Sequence, residues 1–184
     1  MHDLKEDPEM RRRIEFAIAL LVALIVLGAP HTRAQDDDDD DEDQAAVIKA
    51  LPQAKVSLDQ AMLASEHDGT AISAKFEVED GKLQLSVYTV KADKFSEVIV
   101  DYVSGKVSKV EAITSGEDLA EARAQSVAMA KAKKSLRAAV EETLKANKGY
   151  QAFSVVPSLK DGHPAAEVSL AKGEETKTVQ VKLE

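Results

Sequence analysis

The sequence predicts an α+β protein made of two small modules, each a helix packed on an antiparallel β-meander, behind a signal peptide and an acidic disordered segment. Three observations lead there. Successive stretches between residues 71 and 113 alternate apolar and polar residues and are punctuated by turn signals. A helical stripe with a capping sequence precedes them. The same order of signals then returns about 80 residues later.

The chain opens with an export address. Arg11-Arg12-Arg13 is followed by an apolar run from Phe16 to Ala29, shorter than the roughly 20 residues a membrane-spanning helix needs. A basic start, a short apolar stretch and small residues at the exit describe a signal peptide. Cleavage is placed between Ala34 and Gln35, with Ala29 as the alternative site and an uncleaved anchor as the alternative fate. Met10 directly precedes the arginines, so a start there gives a conventional signal peptide. Glu15 counts against a twin-arginine route.

Residues 35–44 form the acidic segment. Its unbroken run from Asp36 to Asp43 repels itself and buries nothing, which predicts a disordered, extended spacer. Weak calcium capture or docking on a basic partner is the competing reading. Calcium loops need ligands arranged around a turn, and this run contains no glycine.

The first module is placed at 45–115. Ala45 to Ala50 reads as a helical lead-in stopped by Leu51-Pro52. In Lys55 to Ser65, Ser57 and Gln60 have capping-box spacing, and Val56 occupies the staple position. Leu58, Ala61, Met62 and Ser65 share one helical face. The first strand, Ala71 to Glu79, puts Ile72, Ala74, Phe76 and Val78 on one side. Asp80-Gly81 is a strong hairpin turn. In Leu83 to Val90, Leu83, Leu85, Val87 and Thr89 oppose Gln84, Ser86, Tyr88 and Val90. Phe95 to Tyr102 aligns Val98, Val100 and Tyr102, and Ser104-Gly105 turns the chain into Lys106 to Ile113.

These residues carry a resemblance. The helix opening Ser57-Leu58-Asp59-Gln60-Ala61, the Asp80-Gly81 hairpin, Tyr88 in the second strand and Val100-Asp101-Tyr102-Val103-Ser104-Gly105-Lys106-Val107 together resemble a PepSY domain over residues 55–113. The last stretch is the most specific part. The resemblance implies a non-catalytic domain of the kind found in metalloprotease propeptides and bacterial envelope proteins, proposed to restrain proteases. Ser57, Ala61, Tyr88, Asp101 and Gly105 are the motif positions. Their chemistry reads as structural: Gly105 supplies a positive φ, Asp101 accepts a backbone N–H in the turn, and Tyr88 packs on the sheet.

The second module is placed at 116–184. Gly116 to Lys148 is helical in composition, with an interruption near Lys134-Ser135. Ser135-Leu136 and Ala139 repeat Ser57-Leu58 and Ala61 at an offset of 78. Asp161-Gly162 repeats Asp80-Gly81 at 81. Pro157 within the strand Tyr150 to Leu159 predicts an edge or a bulge. Lys182 stands where the first copy has Asp101, and the pattern ends without a fourth strand, so this copy reads as degenerate, with an open edge able to pair with the first module, a second chain or an extended peptide.

Charge and chemistry exclude several classes. The net charge is −9, but the acidic run carries eight negative charges and the segment before it sums to zero, leaving Gln44 to Glu184 near neutral. A nucleic-acid protein needs a basic face, and none is present. No cysteine exists for disulfides or thiolate chemistry. His67 and His163 sit beside Asp-Gly pairs as loop residues, without metal-ligand spacing. Neither a phosphate-cradling glycine loop nor a nucleophile elbow occurs. The sequence therefore predicts no enzyme, no catalytic residue, no cofactor and no metal. It predicts a periplasmic or secreted binding protein with no membrane span after cleavage. The expected partner is an unidentified envelope protein, proteases included, and a structural or sensory role is the alternative.

Overall fold

The computed structural model describes residues 37–184, with side chains described from Asp43 onward; residues 43–184 form one compact unit. The expected signal peptide and its cut between Ala34 and Gln35 lie outside the described residues.

Helix α1 runs from Asp37 to Ala50 and passes into a 3₁₀ turn at Leu51–Gln53. The expectation of a disordered acidic segment is therefore corrected: Asp37 to Asp43 form the first half of a helix. Acidic residues are favourable at a helix N-terminus, where free N–H groups and the dipole attract negative charge. The Ala-rich lead-in that follows propagates the helix, and Pro52 ends it.

Helix α2, Leu58–Ala64, starts where the capping pattern placed it: the Gln60 side chain accepts from the Ser57 N–H at 3.0 Å. Leu58, Ala61, Met62 and Ser65 are all buried. Four strands follow, β1 Thr70–Glu79, β2 Lys82–Lys91, β3 Lys94–Val100 and β4 Val107–Ile113. Helix α3, Gly116–Lys131, and helix α4, Leu136–Ala146, are separated at the expected interruption. Strands β5 Gln151–Lys160, β6 His163–Lys172 and β7 Glu175–Lys182 complete the chain.

All seven strands join one antiparallel sheet in the order β4-β3-β2-β1-β5-β6-β7. The halves meet where β1 pairs with β5, through Ala74↔Val155 and Lys75↔Ser154. One apolar cluster takes residues from α2, α4 and both halves of the sheet, among them Leu58, Met62, Val87, Leu136, Val140, Val155 and Leu170. Helix α2 packs against β1, β2 and β5, and α4 against β1, β5, β6 and β7, so both helices straddle the seam.

Detailed geometry recurs along the chain. The β1–β2 ladder has an irregularity between Ala71 and Ser73, and the β5–β6 ladder has one between Ala152 and Ser154, at an offset of 81. Asp80-Gly81 and Asp161-Gly162 both have positive φ at their two central residues, the type I′ geometry that matches strand twist. The N–H groups of Lys55 and Val56 both donate to the Tyr102 carbonyl, and those of Lys133 and Lys134 both donate to the Leu183 carbonyl. The two-residue Ala92-Asp93 turn between β2 and β3 also has positive φ at both positions.

Pro157 departs from expectation. It lies in β5, an interior strand, and the irregularity falls at Ala152 rather than at the proline. The physical reason is the brevity of the seam. Pro157 faces Ala166 of β6, but the pairing with β1 involves only Ser154 and Val155. The missing N–H therefore breaks no rung towards β1.

Candidate functional site

The structure brings some of the motif positions together and separates others. The segment leading into Ser57 is tied to the end of the third strand by the two bonds to the Tyr102 carbonyl. Beside it, Asp101 and Gly105 build the turn into β4. Asp101 Oδ1 accepts from the N–H of Ser104 at 2.6 Å and of Val103 at 3.3 Å, and the Gly105 N–H donates to the Asp101 carbonyl at 2.8 Å. The hydrogen bonds from Ser104 hold the Asp101 carboxyl below its ordinary range. Gly105 has φ +73°, and a Cβ there would lie 3.5 Å from Val56 Cγ2. Ala61 is in the core.

Tyr88 is elsewhere. Side chains alternate along a strand, so Ser73, Lys75 and Glu77 of β1 point away from the face that carries Ala74 and Phe76. Tyr88 pairs with Ser73 on one side and with Glu97 on the other, which places it on this reverse face. Helix α3 reaches the same face: Ser73 Oγ donates to Gln125 Oε1 at 2.7 Å. Burial, reinforced by Glu77, Glu97, Asp118 and Glu121, drives the Tyr88 phenol far above its ordinary range. Lys75 Nζ stands 5.4 Å from the Tyr88 ring centroid.

The reverse face holds a polar cluster that the sequence reading did not assemble. Fully buried Ser86 lies 2.6 Å from Glu77 Oε1 and 2.8 Å from Glu97 Oε1 through its Oγ. Gln84 Nε2 donates to Ser86 Oγ at 3.1 Å and to Glu97 Oε1 at 3.2 Å. Lys75 pairs with Glu77 Oε2 at 2.7 Å, and Lys109 with Glu111 Oε1 at 2.9 Å. Burial raises the Glu97 carboxyl above its ordinary range against the Ser86 hydrogen bond, with Glu77 adding to the rise; burial also raises Glu121 of α3. The signal was the alternation itself, since Gln84, Ser86 and Tyr88 already read as the polar side of β2. Only the register shows that glutamates from β1 and β3 converge on Ser86.

His67 stands in the turn after α2, as expected, whereas His163 opens strand β6 instead of lying in a loop. His163 Nδ1 is 2.6 Å from Glu184 Oε1, and this contact holds Glu184 below its ordinary range. The His67 carbonyl accepts from Lys91 Nζ at 2.8 Å. Among the described residues, no three His, Asp or Glu side chains are grouped to hold a metal, and no helix is long and apolar enough to cross a membrane.

The other feature is the outer strand β4. Among the described residues it pairs only with β3. Two valines of this strand, Val107 and Val110, are 37% and 47% exposed, and Val103 in the turn before it is 46% exposed. The opposite outer strand, β7, carries Lys177 and Lys182, charges that discourage further pairing.

Fold and surface together define an α+β protein with one seven-stranded antiparallel sheet, an apolar face covered by α2 and α4, and a reverse face that carries the polar cluster and packs against α3. No protein-family model matches the chain, and no curated protein does. Among solved structures, it is similar to the crystal structure of a candidate lipoprotein from Clostridium difficile 630, at 13% identity and a TM-score of 0.39, over 65% of this chain and 79% of that one. A likeness of that degree defines neither family nor function.

Proposed function

We propose that this chain acts outside the cytoplasm as a non-catalytic binding protein of the bacterial cell envelope, built from two fused PepSY-like halves at 45–115 and 116–184. It holds an extended segment of an envelope protein by strand addition at β4, and proteases are the partner class the PepSY resemblance points to. The observation that carries this reading is the β4 edge, bonded on one side and bearing Val107 and Val110 in solvent, with exposed Val103 in the turn before it. An edge strand offers main-chain hydrogen bonds for affinity, and exposed apolar side chains beside it offer selectivity. The fused-halves reading is supported by the recurring ladder irregularities, type I′ turns and paired bonds into the helix openings. Export is supported by the basic and apolar opening of the sequence.

Inhibition assays with the purified full-length protein against a panel of envelope metalloproteases test the proposal. The expected result is slowed turnover without cleavage of the protein, weakened at least about tenfold by the double substitution Val107→Glu, Val110→Glu, because a buried charge opposes docking. No slowing by the wild type, or equal slowing by the double variant, would overturn it.

A further inference from the structure

The Ser86 cluster has a proton-counting problem that its geometry resolves in one way. The Ser86 hydroxyl has a single proton, yet its oxygen is within hydrogen-bond distance of two carboxylate oxygens, Glu77 Oε1 at 2.6 Å and Glu97 Oε1 at 2.8 Å. If both glutamates were ionised, one short contact would set a lone pair of the fully buried Ser86 oxygen against an anion. A second proton removes the conflict, and the neighbours decide where it sits. Glu77 has the Lys75 ammonium at 2.7 Å on its other oxygen, so the second proton belongs on Glu97. Glu97 pairs across the strands with Glu111 and with Tyr88, and Lys109 is drawn to Glu111.

We propose that Glu97 is a carboxylic acid in the folded protein at pH values where a free glutamate is ionised, donating to Ser86 Oγ while Ser86 donates to Glu77, so that this sheet face is a pH-sensitive element. The chain of donors then runs in one direction, from Glu97 through Ser86 to a Glu77 carboxylate held by Lys75. Gln84 adds donors to the shared oxygens. The charged groups acting on Glu97 are Lys75 and Glu77 on β1 and Glu111 on β4, where Lys109 is paired with Glu111, while Asp118 and Glu121 of α3 act on its cross-strand neighbour Tyr88. Two carboxylates, Glu77 and Glu111, outnumber the one cation Lys75 in that set, so the balance of this surround disfavours a second anion beside Ser86. The upward direction of the Glu97 titration agrees.

The sign follows from linkage. A carboxyl raised in the native state binds its proton more tightly folded than unfolded. Its stabilising contribution is complete below the unfolded glutamate range and is lost as pH rises through the higher native value. The protein thus becomes firmer as its surroundings acidify across that window.

Carboxyl-carbon NMR titration of the wild-type protein, with denaturant unfolding between about pH 4 and pH 8 for wild type and Glu97→Gln, tests this. Glutamine reproduces the neutral, donating form. The expected results are a Glu97 resonance titrating above the ordinary glutamate range and a wild-type stability decline with pH that Glu97→Gln flattens. At the upper end, the folded-to-unfolded ratio of Glu97→Gln should exceed that of wild type by about tenfold per unit of elevation. A Glu97 resonance with an ordinary midpoint, or parallel pH profiles for the two proteins, would overturn the proposal. The wild-type titration gives the answer even if the variant fails to fold.

Discussion

At the scale of single residues, the turn after β3 shows how local chemistry specifies backbone. Asp101 accepts two N–H groups, the Gly105 N–H returns to the Asp101 carbonyl, and the glycine occupies a left-handed φ of +73°. The space for a methyl group exists at 3.5 Å from Val56, so the cost of Gly105→Ala is conformational, about 1–2 kcal/mol. Gly69 differs: a Cβ there would sit 2.8 Å from the Val90 carbonyl oxygen, a backbone atom with no freedom to retreat. Gly69→Ala is therefore expected to cost more than Gly105→Ala in urea unfolding, and the reverse order would contradict the packing described at the start of β1. Asp101 and Gly105 were readable from the sequence because a turn is written in neighbouring residues. Glu97 was not, because its significance depends on Ser86 and Glu77, which only strand register brings to it.

At the scale of elements, α2 and α4 carry the apolar load. Ser135 Oγ accepts from the Ala138 N–H at 3.2 Å, and Leu136 behind it is buried, as Leu58 is behind Ser57. Truncating either leucine to alanine leaves a cavity against the sheet and should cost about 2–5 kcal/mol. Equilibrium denaturation of Leu58→Ala and Leu136→Ala checks this; losses near zero at either position would mean that its helix is dispensable. The strands, the type I′ hairpins and the α3–α4 break were legible because each is a local pattern. Two expectations failed for non-local reasons. A proline argues against an interior strand only where that strand is paired on both sides at the proline itself, and the seam is too short to reach Pro157. The acidic run signals disorder only when nothing helical follows it, and here an Ala-rich lead-in does.

At the scale of the whole molecule, one sheet and one apolar cluster join what the sequence presents as two successive patterns. The alternation that marks each strand contains nothing that names its neighbour across 80 residues, so the β1–β5 junction was not legible. A shared core predicts shared fate: Leu58→Ala and Leu136→Ala should each shift a single unfolding transition, reported alike by probes in either half. Two separated transitions would show that the halves melt independently.

The narrowness of that junction has a mechanical consequence. Ala74↔Val155 and Lys75↔Ser154 are the rungs of the central join, while α2 and α4 lie across it on one face, α3 lies across it on the other, and Arg137 reaches Glu66 at 3.3 Å. Two stiff plates stitched by so short a strip would rock about it, and the helix layer acts as the splint that stops them. Loosening the splint, rather than cutting the stitches, is the easier way to let the plates turn, so amide exchange at residues 74, 75, 154 and 155 reads the grip of the helices.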